Sequence, residues 1–335
     1  MNWFLLGGGT ATATALQLLS TSGPIFLAGG QPWRWKGVSA FKLLHRFAHG
    51  ENIQPFLDTF AGFNVLRVWG YVTWPGAGWD WPALTKIVDF VRYCGEAGWY
   101  VELTLLTDDD HSRLNEARMV VEALTAAKVS NVLLEAGNEP QTHKNILTRE
   151  IKAALDASGF LYSSGDYEDS DRFFGSYLTA HTPRDPEWPR KAHDLLEYYT
   201  GGGPSAPSDP AHKVPCVADE PMRPDLSGYN VQDFRAYFGT AALLGAGATF
   251  HFEGGKFGTL PTASEAECAA AALEGLNAFP ADAPTKGYRR IDEQGRSLRT
   301  YAVGTSMVRV RPLTKDAPEP GWTAIDTDGI LWRKS

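Results

Sequence analysis

Residues 81–107 read WPALTKIVDFVRYCGEAGWYVELTLLT, one helix followed by one strand. Leu84, Ile87, Val88 and Val91 fall at i, i+3, i+4 and i+7, the spacing of a single helical face. Asp80 is a candidate N-cap for that helix, and Gly95 and Gly98 close it. YVELTLLT at 100–107 then has the length and apolar character of a buried strand.

The same alternation recurs along the chain. Strands are expected at 35–41, 64–71, 100–107, 131–139, 160–165, 177–181, 214–220 and 248–253. Helices are expected at 52–61, 81–96, 114–127, 145–157, 188–199, 231–244 and 264–276, with one turn near 170–174. Alternating β and α segments imply a parallel sheet with helices outside it, and eight units imply closure into a (β/α)8 TIM barrel. A doubly wound open sheet is the alternative. It usually has fewer units, and no G-x-G-x-x-G follows the first strand.

Three regions follow. Residues 1–34 form a lead-in covering the barrel floor, 35–288 the barrel, and 289–335 a small β-rich tail packed on it. In the tail RTYAVGTSMVRVRP (299–312) alternates and TAIDTDGILW (323–332) carries an Asp-Gly hairpin signal. A very small sugar-binding module is the other reading of the tail. GGGPSAPSDP (201–210) is a loop on the barrel's N-terminal side.

The 335 residues exceed the roughly 250 of a plain barrel but are short for two full domains. A net charge of −8 disfavours nucleic acid and anionic membranes as partners. Cys94, Cys216 and Cys268 are odd in number and widely spaced, which suits buried free thiols rather than disulfides or a zinc site. No stretch reaches the ~18 apolar residues of a membrane span. The N-terminus has an apolar run and an A-x-A pattern, but no Lys or Arg precedes the run and Gly7, Gly8 and Gly9 break it. A cleaved secretion signal is therefore not expected, and a cytoplasmic or a released, virion-associated location is. The oligomeric state is left open.

Barrel active sites form at the C-terminal ends of the strands. The polar residues there are Arg67 on strand two, Asn138 and Glu139 ending strand four, and His181 ending strand six. Asp219 and Glu220 end strand seven, and His251 and Glu253 end strand eight. Period-two alternation puts Val65, Arg67 and Trp69 on one face, Leu133, Glu135, Gly137 and Glu139 on another, and Val214, Cys216, Ala218 and Glu220 on a third. Charges inside a barrel are costly unless paired, so Arg67, Glu139 and Glu220 facing inward are informative. Two carboxyl groups facing each other across a barrel mouth suit the hydrolysis of a glycosidic bond. Arg67 beneath Glu220 would keep it ionised, while crowding would favour a proton on Glu139. Glu135 is expected to pair inside the barrel. His181, His251 and Glu253 are either site residues or satisfied core groups. Trp69, Trp74 and Trp79, after strand two, offer aromatic platforms, with Tyr167 a further candidate. The run from Asp108 to His111 is either a ligand-binding loop or a solvated helix start. No metal site and no cofactor are expected.

VLLEAGNEP (132–140), FNVLRVW (63–69) and PCVADEP (215–221) together resemble strands four, two and seven of clan A glycoside hydrolases, above all the cellulase-like family 5. The resemblance spans about residues 35–255. It implies Glu139 as acid/base, Asn138 on the sugar 2-hydroxyl, Arg67 supporting the nucleophile, Glu220 as nucleophile and His181 near it. It also implies retaining cleavage of β-glycosidic bonds in an oligo- or polysaccharide. Two departures stand out. ATFHFEGGKF (248–257) lacks the strand-eight Trp of that family, and Thr182 and Pro183 follow His181 where the family has a Tyr. The other expectations are a carbohydrate-binding barrel without catalysis, as in a virion or surface adhesion component, and a transglycosidase using the same residues.

Overall fold

The computed structural model describes residues 16–107, 111–140, 148–165, 174–181, 196, 214–221, 223–224 and 231–281. In the tail it describes backbone strands only, at 289–292, 299–303, 306–310, 323–324 and 330–333. The expected helix at 188–199, the turn at 170–174, the loop at 201–210 and the acidic run 108–110 lie wholly or largely outside the described residues.

The chain opens with three antiparallel strands, β1 (Leu19–Ser22), β2 (Ile25–Ala28) and β3 (Gln31–Trp33). The barrel strands are β4 (Lys36–Ser39), β5 (Val65–Trp69), β6 (Tyr100–Leu106), β7 (Val132–Gly137), β8 (Tyr162–Ser163), β9 (Leu178–Ala180), β10 (Cys216–Ala218) and β11 (Gly247–Phe250). They pair in parallel in the order β8-β7-β6-β5-β4-β11-β10-β9, a nearly closed (β/α)8 barrel. Among the described residues no strand ladder joins β8 to β9. Ser163 Oγ lies 3.1 Å from Thr179 Oγ1 and accepts from the Thr179 amide at 3.3 Å, so a side chain takes the place of a carbonyl.

The helices between are α1 (Leu43–Ala48), α2 (Gln54–Thr59), α3 (Leu84–Glu96), α4 (Leu114–Ala126), α5 (Thr148–Ser158), α6 (Val231–Leu243), α7 (Glu253–Phe257) and α8 (Ala263–Asn277). Helix α3 buries Ile87, Val88 and Val91 as its periodicity predicts. Its N-cap is Ala83 rather than Asp80, which pairs with Arg113 at 2.5 Å instead. Helix α8 starts with a full capping box, Thr262 and Glu265 each satisfying the other's backbone N–H. Five antiparallel strands, in the order β12-β13-β14-β16-β15, occupy the tail: β12 (Arg289–Asp292), β13 (Arg299–Val303), β14 (Ser306–Val310), β15 (Thr323–Ala324) and β16 (Ile330–Arg333).

The N-terminal hairpins close the barrel's lower end. Phe26 packs 5.6 Å from Trp35 and 5.7 Å from Tyr177, in one cluster with Val65, Tyr100, Leu133 and Val217. Tyr100 donates its hydroxyl to the Gln17 carbonyl, and Arg34 donates to the Ala246 carbonyl at 3.0 Å. Because this end is filled by apolar rings, polar chemistry is confined to the other.

Strand seven corrects one expectation. Cys216 and Ala218 face the outer core with the helices, whereas Val217 faces inward with the floor cluster. The inward residue at the strand's end is therefore Asp219. Glu220 reaches the interior because the strand stops at Ala218 and the chain turns, not because it shares a face with Cys216.

Candidate active site

The middle of the barrel holds one cation and four carboxyl groups. Arg67, fully buried on β5, donates to Glu220 Oε1 at 2.5 Å, Glu135 Oε2 at 2.7 Å and Asn138 Oδ1 at 3.0 Å. Its Nε lies 2.5 Å from Asp219 Oδ2 and 3.8 Å from Glu102 Oε2. The five residues come from β5, β6, β7 and the end of β10, so no short stretch of sequence reveals the cluster. Threonines complete it. Thr104 and Thr179 donate to the two oxygens of Glu135, and Thr249 donates to Asp219 Oδ1 at 3.1 Å.

One guanidinium cannot balance four buried negative charges. Burial pushes the Glu102 carboxyl well above its ordinary range, aided by repulsion from Asp219 and Glu135. Burial also raises Asp219, to about 7, against the pull of Arg67. Burial thus favours the protonated form of Glu102, whose Oε1 accepts from the Tyr177 hydroxyl at 2.8 Å.

Above this layer lies a cleft of about 190 Å³ lined by Phe41, Trp69, Trp74, Thr107, Asn138, Glu139, Glu220, His251 and Lys256. Glu139 sits at its edge with its side chain 27% exposed, while that of Glu220 is 6% exposed. A carboxylate oxygen of Glu139 and one of Glu220 lie within 4.8 Å of each other, and a His181 ring nitrogen is as close to both. The backbone at Glu139 is left-handed, φ 44°, a conformation that is uncommon for a side-chain-bearing residue and tends to mark functional sites. Gly165 makes room for that turn. Its φ is 103°, and a Cβ there would fall 1.9 Å from the Gly137 carbonyl oxygen.

Most of the expected residues converge. Glu139, Glu220, Asn138, Trp69, Trp74 and His251 line the cleft, and Arg67 lies beneath it. Trp69 stacks on Phe41 at 3.9 Å and 10°, and Trp74 meets Trp69 edge-on at 5.5 Å. Trp79 is buried behind Trp74. His251 Nδ1 is 3.0 Å from Ser39 Oγ. Glu135 pairs inside the barrel with Arg67, as expected.

Other placements differ. His181 lies near Glu220 as expected, but its Nδ1 is also 2.9 Å from Glu139 Oε1, a contact the sequence did not suggest. Glu253 opens helix α7 instead of ending a strand and does not line the cleft. It pairs with Arg223 and, at 3.0 Å, with Lys256. Tyr167 lies outside the described residues. Sequence reasoning missed Glu102 and gave Asp219 no role. A signal existed for Glu102: it is the lone charge in YVELTLLT, in phase with Tyr100 and Thr104. Lys256 and Phe41 were also missed: Lys256 lies on the short helix after the last strand, and Phe41 is an apolar residue at the end of the first expected strand, where only polar residues were considered. Two groups of described residues bring metal-type donors together, Glu139 with His181 and Glu220, and Glu135 with His181 and Asp219. In both, the carboxylates already have cationic or imidazole partners.

No family model and no curated protein matches the sequence. Solved structures do. A putative glycoside hydrolase from Bacteroides vulgatus aligns with TM-score 0.63 at 14% identity, over 92% of this chain and 69% of that one. A glycoside hydrolase family 5 protein from the same organism aligns with TM-score 0.58 at 10% identity, over 88% and 80%. The endo-1,4-β-mannanase of Rhizomucor miehei aligns with TM-score 0.54 at 13% identity, over 78% and 99%. At these identities the likeness is one of fold, and this chain has the (β/α)8-barrel fold of those glycoside hydrolases.

Proposed function

We propose that the protein is a retaining glycoside hydrolase that cleaves β-glycosidic bonds of an oligo- or polysaccharide by double displacement, without a cofactor. The observation that carries this reading is the approach of Glu139 and Glu220 to within 4.8 Å across an aromatic-walled cleft. Retaining enzymes hold their two carboxyl groups about 5–5.5 Å apart, and inverting ones about 6.5–9.5 Å to admit a water.

Glu220 is the nucleophile. Arg67 donates to its Oε1 and stabilises its negative charge, and the carboxylate attacks the anomeric carbon. Glu139, at the cleft edge and on His181, protonates the departing oxygen and then activates the water that releases the sugar. The Asn138 carbonyl is committed to Arg67, so its NH2 group is the donor left for a sugar 2-hydroxyl. Trp69 and Trp74 offer ring faces or edges to the sugar's C–H groups in place of a strand-eight Trp. Several solved structures sharing the fold are mannanases, so β-mannan heads the substrate panel, followed by β-glucans, xylans and bacterial surface glycans.

Azide rescue tests the assignment. With an aryl glycoside that needs no acid, Glu139→Ala should form the glycosyl-enzyme and stall, and azide should then release a glycosyl azide of retained configuration. Glu220→Ala should be inactive alone and give the inverted azide. The same configuration from both variants would overturn the roles. A wild type that binds glycans but hydrolyses none of the panel would point to the non-catalytic carbohydrate-binding barrel.

A further inference from the structure

The His181 ring lies between two carboxyl groups, one at each nitrogen. Nδ1 is 2.9 Å from Glu139 Oε1, and Nε2 is 4.0 Å from Asp219 Oδ2. Asp219 is fully buried at the end of β10 and fixed by Arg67 and Thr249. Its carboxylate therefore cannot swing away from the ring.

We infer that Asp219 is a positioning residue that acts on Glu139 through His181, by selecting the tautomer with hydrogen on Nε2 and a bare Nδ1. Which ring nitrogen carries the proton is set by the group facing the other. A negative Asp219 beside Nε2 favours the hydrogen there. A bare Nδ1 can only accept, so the 2.9 Å contact is a hydrogen bond only while Glu139 keeps its proton. The opposite tautomer, or an imidazolium, would donate to Glu139 and favour the ionised form, which cannot protonate a leaving group. The kinetic consequence rests on the reading of Glu139 as the acid; the tautomer itself does not.

The surrounding charges are consistent with this. Arg67, Glu102, Glu135, Glu220 and His181 face Asp219, and His181, Glu220 and Lys256 surround Glu139. Arg67 is shared with Glu135 and Glu220, so it does not cancel Asp219 alone. Burial brings Asp219 up to about 7. Its charge thus grows as pH rises through neutrality, and its pull on the Nε2 hydrogen grows with it.

Two measurements test this. Nitrogen NMR of ¹⁵N-histidine-labelled protein reads the tautomer directly, with His181→Gln identifying the signal among the eight histidines. The Nε2–H form is expected in the wild type, with a shift towards Nδ1–H in Asp219→Asn. An Nδ1–H or doubly protonated ring in the wild type overturns the inference, and that test needs no variant of Asp219. In kinetics, Asp219→Asn should move the alkaline limb of kcat/KM down by about one pH unit, since a negative charge near Glu139 is lost and the tautomer reverses. The rate loss should be ~10-fold or more greater for an alkyl than for a dinitrophenyl leaving group, because only the former needs the acid. Equal losses for both, with the alkaline limb unmoved, would reduce Asp219 to packing and overturn the inference. A wild type that hydrolyses nothing yet carries the Nε2–H tautomer would sink the hydrolase reading and leave the ring arrangement standing.

Discussion

Arg67 is the residue on which the interior depends. Among the described residues it is the only cation in a layer that also holds Glu102, Glu135, Asp219 and Glu220, and its planar fork contacts all four. Removing one partner of a buried ion cluster leaves uncompensated charge, which typically costs about 3–5 kcal/mol. Arg67→Ala is therefore expected to lower unfolding free energy by about that much. Any folded fraction should have lost most activity, because the guanidinium that stabilises the charge on Glu220 is gone. Arg67→Lys should fail to restore activity, since an ammonium is a point charge that cannot bridge several carboxylates. Denaturant titration alongside hydrolysis of an aryl glycoside checks both. Near-normal rates in folded Arg67→Ala would show that Glu220 needs no such partner.

At the scale of elements, the barrel is continuous except between β8 and β9. Strand β8 has two residues, and the Ser163 hydroxyl serves Thr179 from the side chain. An unmet buried polar group costs about 1–3 kcal/mol, so Ser163→Ala should destabilise by that amount and do so locally. Amide exchange should speed up at 178–180 while β5, β6 and β7, each laddered on both sides, keep their protection. Uniform loss across all the strands would mean that the seam is not a separate weak point. The seam also bears on the chemistry, because β9 leads directly to His181. Loosening it should cost turnover that depends on Glu139 more than binding.

The whole molecule divides into an apolar floor, a charged middle and an aromatic mouth, and the charged middle couples stability to pH. Burial raises the proton affinity of Glu102 and Asp219 in the folded state. Both contributions are fully present below the unfolded carboxyl range of about 4 and are lost as pH rises, for Asp219 through about 7. Stability from this layer should thus decline from about pH 4 towards neutrality and beyond. Glu102→Gln, neutral at every pH, should fold well at pH 7 and lose less stability between pH 5 and pH 9 than the wild type, as read by thermal unfolding. An equal decline in variant and wild type would mean that Glu102 is ionised in the folded protein. The sequence by itself determined the alternation of eight strands and helices, the apolar face of α3, and the strand ends that carry Arg67, Asn138, Glu139, His181 and Glu220. Periodicity and chain order are local properties, and they suffice for those. It did not determine which face of β10 turns inward, because Cys216, Val217 and Ala218 are all apolar and alternation has nothing to distinguish. Nor did it join Glu102, Glu135 and Asp219 to the arginine it placed beneath Glu220, or set His181 on Glu139. Those partners are up to 153 residues apart in the chain, and only closure of the barrel brings them within hydrogen-bond reach, where burial then decides which of them keeps its proton.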